Sequence, residues 1–173
     1  MPPIISIVGR SGSGKTTLIE KLIPELKRRG YKIGTVKHAS HRVEMDQQGK
    51  DSWRHKQSGA DTVIVASKAG IAMVKDENCD SLDGFKKYFD NVDLILTEGY
   101  KSGNKPKIEV VRAARHQRPI CQKNNHLEAL VSDVAMDADV PRFGLEDVRG
   151  LADMIEGRFL GGGRKQTALP KED

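Results

Sequence analysis

Eight residues near the N-terminus constrain this chain more than any others. Gly9-Arg10-Ser11-Gly12-Ser13-Gly14-Lys15-Thr16 matches G-x4-G-K-[ST] at every fixed position. Such a loop works only between a strand and a helix. Its glycines let the backbone curl so that successive N–H groups turn inward with no Cβ in the way. The helix that follows adds its N-terminal N–H groups and positive dipole end. Both flanks are present. Ile4-Ile5-Ser6-Ile7-Val8 is a nearly continuous β-branched run, the pattern of a parallel strand covered on both faces. From Lys15 onward, Leu18, Ile19, Leu22, Ile23 and Leu26 recur at three and four, which predicts a helix ending at Gly30, with a kink expected at Pro24. At average residue frequencies, a chance match to the motif in a chain of this length arises roughly once in a few hundred. The motif assigns Lys15 to the β- and γ-phosphates of a nucleoside triphosphate and the Thr16 hydroxyl to magnesium. Gly9, Ser11, Gly12, Ser13, Gly14 and Thr17 complete the phosphate loop.

Further along, strands and helices alternate. Strands are predicted at Ile33 to Lys37, Thr62 to Ala66 (pairing with Ile71 to Val74 as a hairpin), Val92 to Thr97 and Leu127 to Val131. Helices are predicted at Lys50 to Ser58, Ser81 to Phe89 and Leu145 to Leu160. Lys107 to Val111 alternates charged and apolar residues and reads as an edge strand. The implied fold is α/β: a P-loop NTPase-type layered fold with a mainly parallel central sheet flanked by helices. Residues 1–160 form a single nucleotide-binding domain in this reading, and residues 161–173, with little to bury, are expected to be a disordered tail.

A phosphate loop needs an acid for its metal. Asp93-Leu94-Ile95-Leu96-Thr97-Glu98-Gly99 is an apolar strand ending in a carboxylate, so Glu98 falls at the end of the sheet where open α/β folds bind ligands. Asp93, which begins that strand, falls at the far end. Asp46, in the polar segment after the second strand, is a candidate metal-linked or water-positioning acid at the γ-phosphate. The N/T-K-x-D guanine signature is absent. Asp133, after the last strand, is placed to accept from guanine N1 and N2, but the residues alone leave adenine open. A second cluster of donors (His38, His41, Lys50, Arg54, His55 and Lys101) suits the phosphate of another anionic ligand, and the spacing of its histidines does not make a zinc motif.

Composition narrows the partners. The chain carries 29 Lys and Arg against 24 Asp and Glu, a net charge of +5, without a basic block. That charge suits small anions, and aromatic residues at 5% are too sparse for a base-stacking nucleic-acid surface. No apolar run approaches the ~18 residues of a membrane helix. With no leader pattern at the N-terminus and two distant cysteines, Cys79 and Cys121, the expected setting is the cytoplasm.

The phosphate loop combines with Val36-Lys37-His38-Ala39 and His41, then Asp46-x-x-Gly49-Lys50-Asp51-Ser52 with Gly59-Ala60, then Glu98-Gly99-Tyr100-Lys101, then Pro106-Lys107-Ile108-Glu109. In this combination, from Ile4 to about Leu160, the chain resembles the MobB family, the molybdopterin-guanine dinucleotide biosynthesis proteins B. The resemblance implies a dimeric P-loop protein that binds GTP with magnesium and hydrolyses it weakly. It also implies that the protein assists a MobA-like partner, which joins molybdopterin to GMP. By position it assigns Gly12, Gly14, Lys15 and Thr16 to phosphate and magnesium, Glu98 to the metal-site acid and Asp46 to the neighbourhood of the γ-phosphate. It turns His38, His41 and Lys50 to His55 toward the anionic pterin or the partner. Arg10 stands where related deviant P-loop ATPases carry a signature lysine. The competing expectation is a small-molecule kinase that uses ATP on the same loop, with a lid over Ala113 to Arg118.

Overall fold

Ile4–Val8 forms β1, every residue of it buried, and it lies in the middle of a six-stranded sheet ordered β2-β5-β1-β6-β7-β8. The coordinates are a computed structural model and describe residues 1–39, 46–77, 81–114, 118–121 and 126–161. The remaining strands of this sheet are β2 (Ile33–Lys37), β5 (Leu94–Glu98), β6 (Lys107–Val111), β7 (Leu127–Ser132) and β8 (Arg142–Phe143), and every pairing is parallel. Because all six run the same way, their C-terminal ends share one edge. Helix α1 (Lys15–Arg28) follows β1 and runs through Pro24, where the ring removes one helical hydrogen bond. Helix α3 (Val148–Phe159) closes the described chain and is capped by the Asp147 carboxylate on the Gly150 N–H.

The two faces of the sheet are covered differently. On one, Ile5, Ile7, Leu94, Leu96, Ile108, Val110, Ala129 and Val131 pack against Leu18, Leu22 and Leu26 of α1 and Leu151 and Ile155 of α3. The outer rim of this layer is tied by Arg29, which pairs with Glu25, Asp153 and Glu156, while the Tyr31 hydroxyl donates to Glu156. The hydrogen bond from Arg28, helped by Arg29, holds the Glu25 carboxyl down at about 2. On the other face irregular chain covers the strands: Met136, Ala138 and Val140 over Val111 and Leu130, and residues 103–105 and 120–121 over β6.

That second cover corrects the edge-strand reading of Lys107 to Val111. Strand β6 is interior, between β1 and β7, and all five residues are buried. Its charges are taken up by the covering chain. Lys107 Nζ donates to the carbonyls of Gly103 and Lys105, and the two oxygens of Glu109 accept the N–H groups of Ile120 and Cys121 at 2.7 and 2.9 Å. Irregular chain arrives with unpaired backbone groups, and buried ones must be paired. The alternating charges do that pairing. The short β8, after Leu127 to Val131, is a further difference: two residues carry no periodicity to read.

The chain divides into two units, Met1–His38 with Phe85–Asp173, and Ala39–Gly84. The smaller holds α2 (Asp51–Gln57) packed along β3 (Thr62–Ser67), which pairs antiparallel with β4 (Gly70–Lys75), the hairpin expected from the sequence. Ile64 and Met73 are cross-strand partners on one face of that hairpin, and with Ile71 they are exposed. Leu82–Tyr88, expected to be helical, is a 3-10 helix.

Candidate functional site

The phosphate loop has the backbone its sequence demands. Gly9, Gly12 and Gly14 all have positive φ, at 144°, 73° and 94°. Gly14 is the N-cap of α1 in the left-handed conformation. No side chain caps the helix, and no acidic residue stands in its first turn. The N–H groups that an ordinary helix spends on a cap are therefore left for an anion. Strand β6 presses on the loop from beside: a Cβ at Gly9 would stand 2.5 Å from the Val110 carbonyl oxygen and 2.7 Å from Ser13 Oγ. Ser13 is buried, and its hydroxyl has no hydrogen-bond partner among the described residues.

Parallel pairing of β1 with β5 brings Glu98 alongside the loop, and the Thr16 hydroxyl donates to Glu98 Oε2 at 3.0 Å. A hydroxyl and a carboxylate side by side are oxygen donors of the kind a hard divalent cation takes. Among the described residues no group of three or more His, Cys, Asp or Glu side chains stands ready to hold a metal, so the other ligands would come from phosphate and water. Lys15 Nζ donates to the Arg10 carbonyl at 2.9 Å, closing the loop on itself. Burial lowers the pKa of Lys15 first of all. The neighbouring charge of Glu98 opposes this, and those of Lys101 and Lys37 add to it. Three lysines therefore meet one carboxylate at this edge, an arrangement that favours a polyanionic ligand.

The other expected residues each have a local setting. Asp133, just past β7, spends Oδ1 on the Ala113 N–H at 2.9 Å and ties the ends of β6 and β7 together. Asp93 lies at the opposite end of β5, accepting the Lys32 N–H at 2.8 Å, as its position predicted. Asp46 belongs to the smaller unit and accepts the Gln47 N–H at 2.8 Å. Lys50 and His55, also there, line a depression of about 380 Å³ with Asp51, Ser52 and Val63 to Val65, whereas Arg54 sits 3.9 Å from Asp51. His41 and residues 162–173 lie outside the described residues, as do 115–117 of the proposed lid. The His38 ring stands edge-on to Tyr100, centroids 4.9 Å apart, directly after Glu98. Tyr100 holds a φ of 56°, uncommon for a bulky residue. Sequence reasoning quoted Lys37 and Tyr100 within longer motifs and gave neither a role of its own. The argument that found Glu98 also reaches Lys37, because the two are register partners at the C-terminal ends of β2 and β5.

This geometry belongs to a known group. Residues 4–133 match the family model of molybdopterin guanine dinucleotide synthesis protein B, MobB. The chain belongs to the MobB family. It is 38% identical over 161 residues to the molybdopterin-guanine dinucleotide biosynthesis adapter protein of Escherichia coli, covering 90% of this chain and 92% of that one. Identity to the adapter protein of Haemophilus influenzae is 36% over 157 residues, covering 89% and 88%. Among solved structures, a molybdopterin-guanine biosynthesis protein B superposes with a TM-score of 0.72 at 31% identity, over 89% of this chain and 98% of that one. The MobB resemblance drawn from the motifs and the parallel P-loop fold both stand.

Proposed function

We propose that this chain is a cytoplasmic, GTP-binding accessory protein of molybdopterin guanine dinucleotide assembly, hydrolysing GTP slowly with magnesium. The observation that carries the nucleotide reading is the Thr16–Glu98 contact beside an uncapped helix N-terminus, with Lys15, Lys37 and Lys101 gathered at the same edge. Magnesium, when bound, neutralises phosphate charge, and Thr16 and Glu98 are the residues to hold it. Glu98 is the carboxylate whose charge acts on Lys15, and its commitment to Thr16 leaves it poorly suited to activate water, which is why turnover is slow. The pathway comes from the family and from relatives named as adapter proteins in this biosynthesis.

The partner is a MobA-like molybdopterin guanylyltransferase. Molybdopterin, itself anionic, takes the basic position beyond Lys15 at Lys101, in the larger unit. The exposed apolar side chains Ile64, Ile71 and Met73 of the hairpin are the surface that a second copy covers in a homodimer.

Titration calorimetry with GTP and ATP, each with and without magnesium, tests the reading. Magnesium-dependent preference for GTP is the expected result, with most triphosphate affinity lost in Lys15→Ala and magnesium dependence unchanged in Asp93→Ala. Tight ATP binding without a response to GTP would overturn the pathway role and put a kinase in its place.

A further inference from the structure

Arg112 follows the last residue of β6, next to the phosphate loop. Its guanidinium lies over Gly14: a Cβ on that glycine would stand 3.6 Å from Nε, 3.8 Å from Nη2 and 3.9 Å from Cζ of Arg112. The two nitrogens stand nearer than Cζ, so the Nε–Nη2 edge of the guanidinium leans toward the loop. The Nε is buried and has no hydrogen-bond partner among the described residues. Among the described residues no carboxylate pairs with this side chain. Asp133, which reaches the next residue along, gives Oδ1 to the Ala113 N–H. That bond fixes the backbone on the C-terminal side of Arg112, and the Val110 carbonyl packed against Gly9 fixes it on the other.

A buried guanidinium donor left unpaired beside a glycine-lined anion cradle is costly unless a ligand completes it. The ligand class follows from the chemistry: the Nε–Nη2 fork matches two oxygens of a phosphate. Its place along the phosphate chain follows from the topology. Thr16 and Glu98 mark the side on which a cation would be held, on the β5 flank of β1, where it would neutralise the charge of the terminal phosphates. Arg112 is on the opposite flank, at the end of β6.

We infer that Arg112 is a phosphate-binding residue of the nucleotide site, holding the α- and β-phosphates from the side away from the metal. The inference rests on the nucleotide reading above and adds a residue outside the G-x4-G-K-[ST] motif. Because GDP and GTP share those two phosphates, Arg112 raises the affinity of both alike.

The test is calorimetry with GTP, GDP and inorganic tripolyphosphate, all with magnesium, on wild type, Arg112→Ala, Arg112→Lys and Lys15→Ala. Thermal melts check the fold of each, and Arg112→Gln stands in if the alanine variant does not fold. The expected result is a loss of about tenfold to hundredfold in Arg112→Ala, equal for GTP and GDP and shared by tripolyphosphate, with partial recovery in Arg112→Lys. Wild-type affinity in Arg112→Ala, while Lys15→Ala fails to bind, would overturn this role and leave the nucleotide site standing. Weakened nucleotides with unchanged tripolyphosphate would also overturn it, because the guanidinium would then face the base. A wild-type protein that binds none of the three would overturn the nucleotide reading and this inference together.

Discussion

The two faces of the central sheet solve one problem in opposite ways. Toward α1 and α3 the buried body of the sheet shows apolar side chains, because a helix arrives with its backbone already hydrogen-bonded and asks only for contact. On the other face the cover is irregular chain, and the strands answer with Lys107 and Glu109, buried and spent on backbone groups. The difference teaches that charge alternation does not by itself mark a solvent edge. It also marks a strand roofed by loops. The two faces divide the work too. The helical face delivers one element to the site, the N-terminus of α1, while the segments on either side of β6 deliver Lys101 and Arg112.

If the helical face is held by packing, Ile7→Ala should cost the most, about 3 kcal/mol in urea unfolding. A cost under about 1 kcal/mol would mean that the layer has slack. If the loop face is held by charge, Glu109→Ala should cost about 2 kcal/mol by leaving the Ile120 and Cys121 N–H groups unpaired. A loss no greater than that of an exposed glutamate would break the comparison. Acid should act next, at the rim of the helical face. The Glu25 carboxyl is held at about 2, below its unfolded value, so its contribution is complete above the ordinary carboxylate range and is lost as pH falls toward 2. After allowance for solvent screening, about 1–2 kcal/mol should disappear between roughly pH 5 and pH 2, and Glu25→Gln should remove that part of the pH dependence. The smallest effect is chemical. Burial, with the negative charge of Glu109 beside it, pushes the Cys121 thiol up to about 11. Iodoacetamide at pH 8 should therefore leave Cys121 unlabelled in the native protein, as read by peptide mass, and label it faster in Glu109→Ala.

Local elements were legible in the sequence because neighbouring residues decide them. The run Ile4 to Val8, the glycines of the loop and the three-and-four spacing from Leu18 to Leu26 each carry their own signal. Glu98 was legible because a strand end in a parallel sheet has a fixed destination. Strand β6 was misread because the groups that satisfy Lys107 and Glu109 sit at Gly103, Lys105, Ile120 and Cys121, and no periodicity encodes a loop folding back over a strand. Arg112 was visible only as one basic residue among several. Its distinction is a contact with Gly14 across 98 positions of chain, which topology makes and spacing cannot.

The Val110 carbonyl stands where a Cβ of Gly9 would be, so the first glycine of the motif answers to the neighbouring strand before it answers to any phosphate. A descendant that abandoned nucleotides would be released at Lys15 and Thr16 but still held to glycine at position 9. In this fold a surviving first glycine is a record of architecture, and the lysine four residues before Ile19 is the better witness to chemistry.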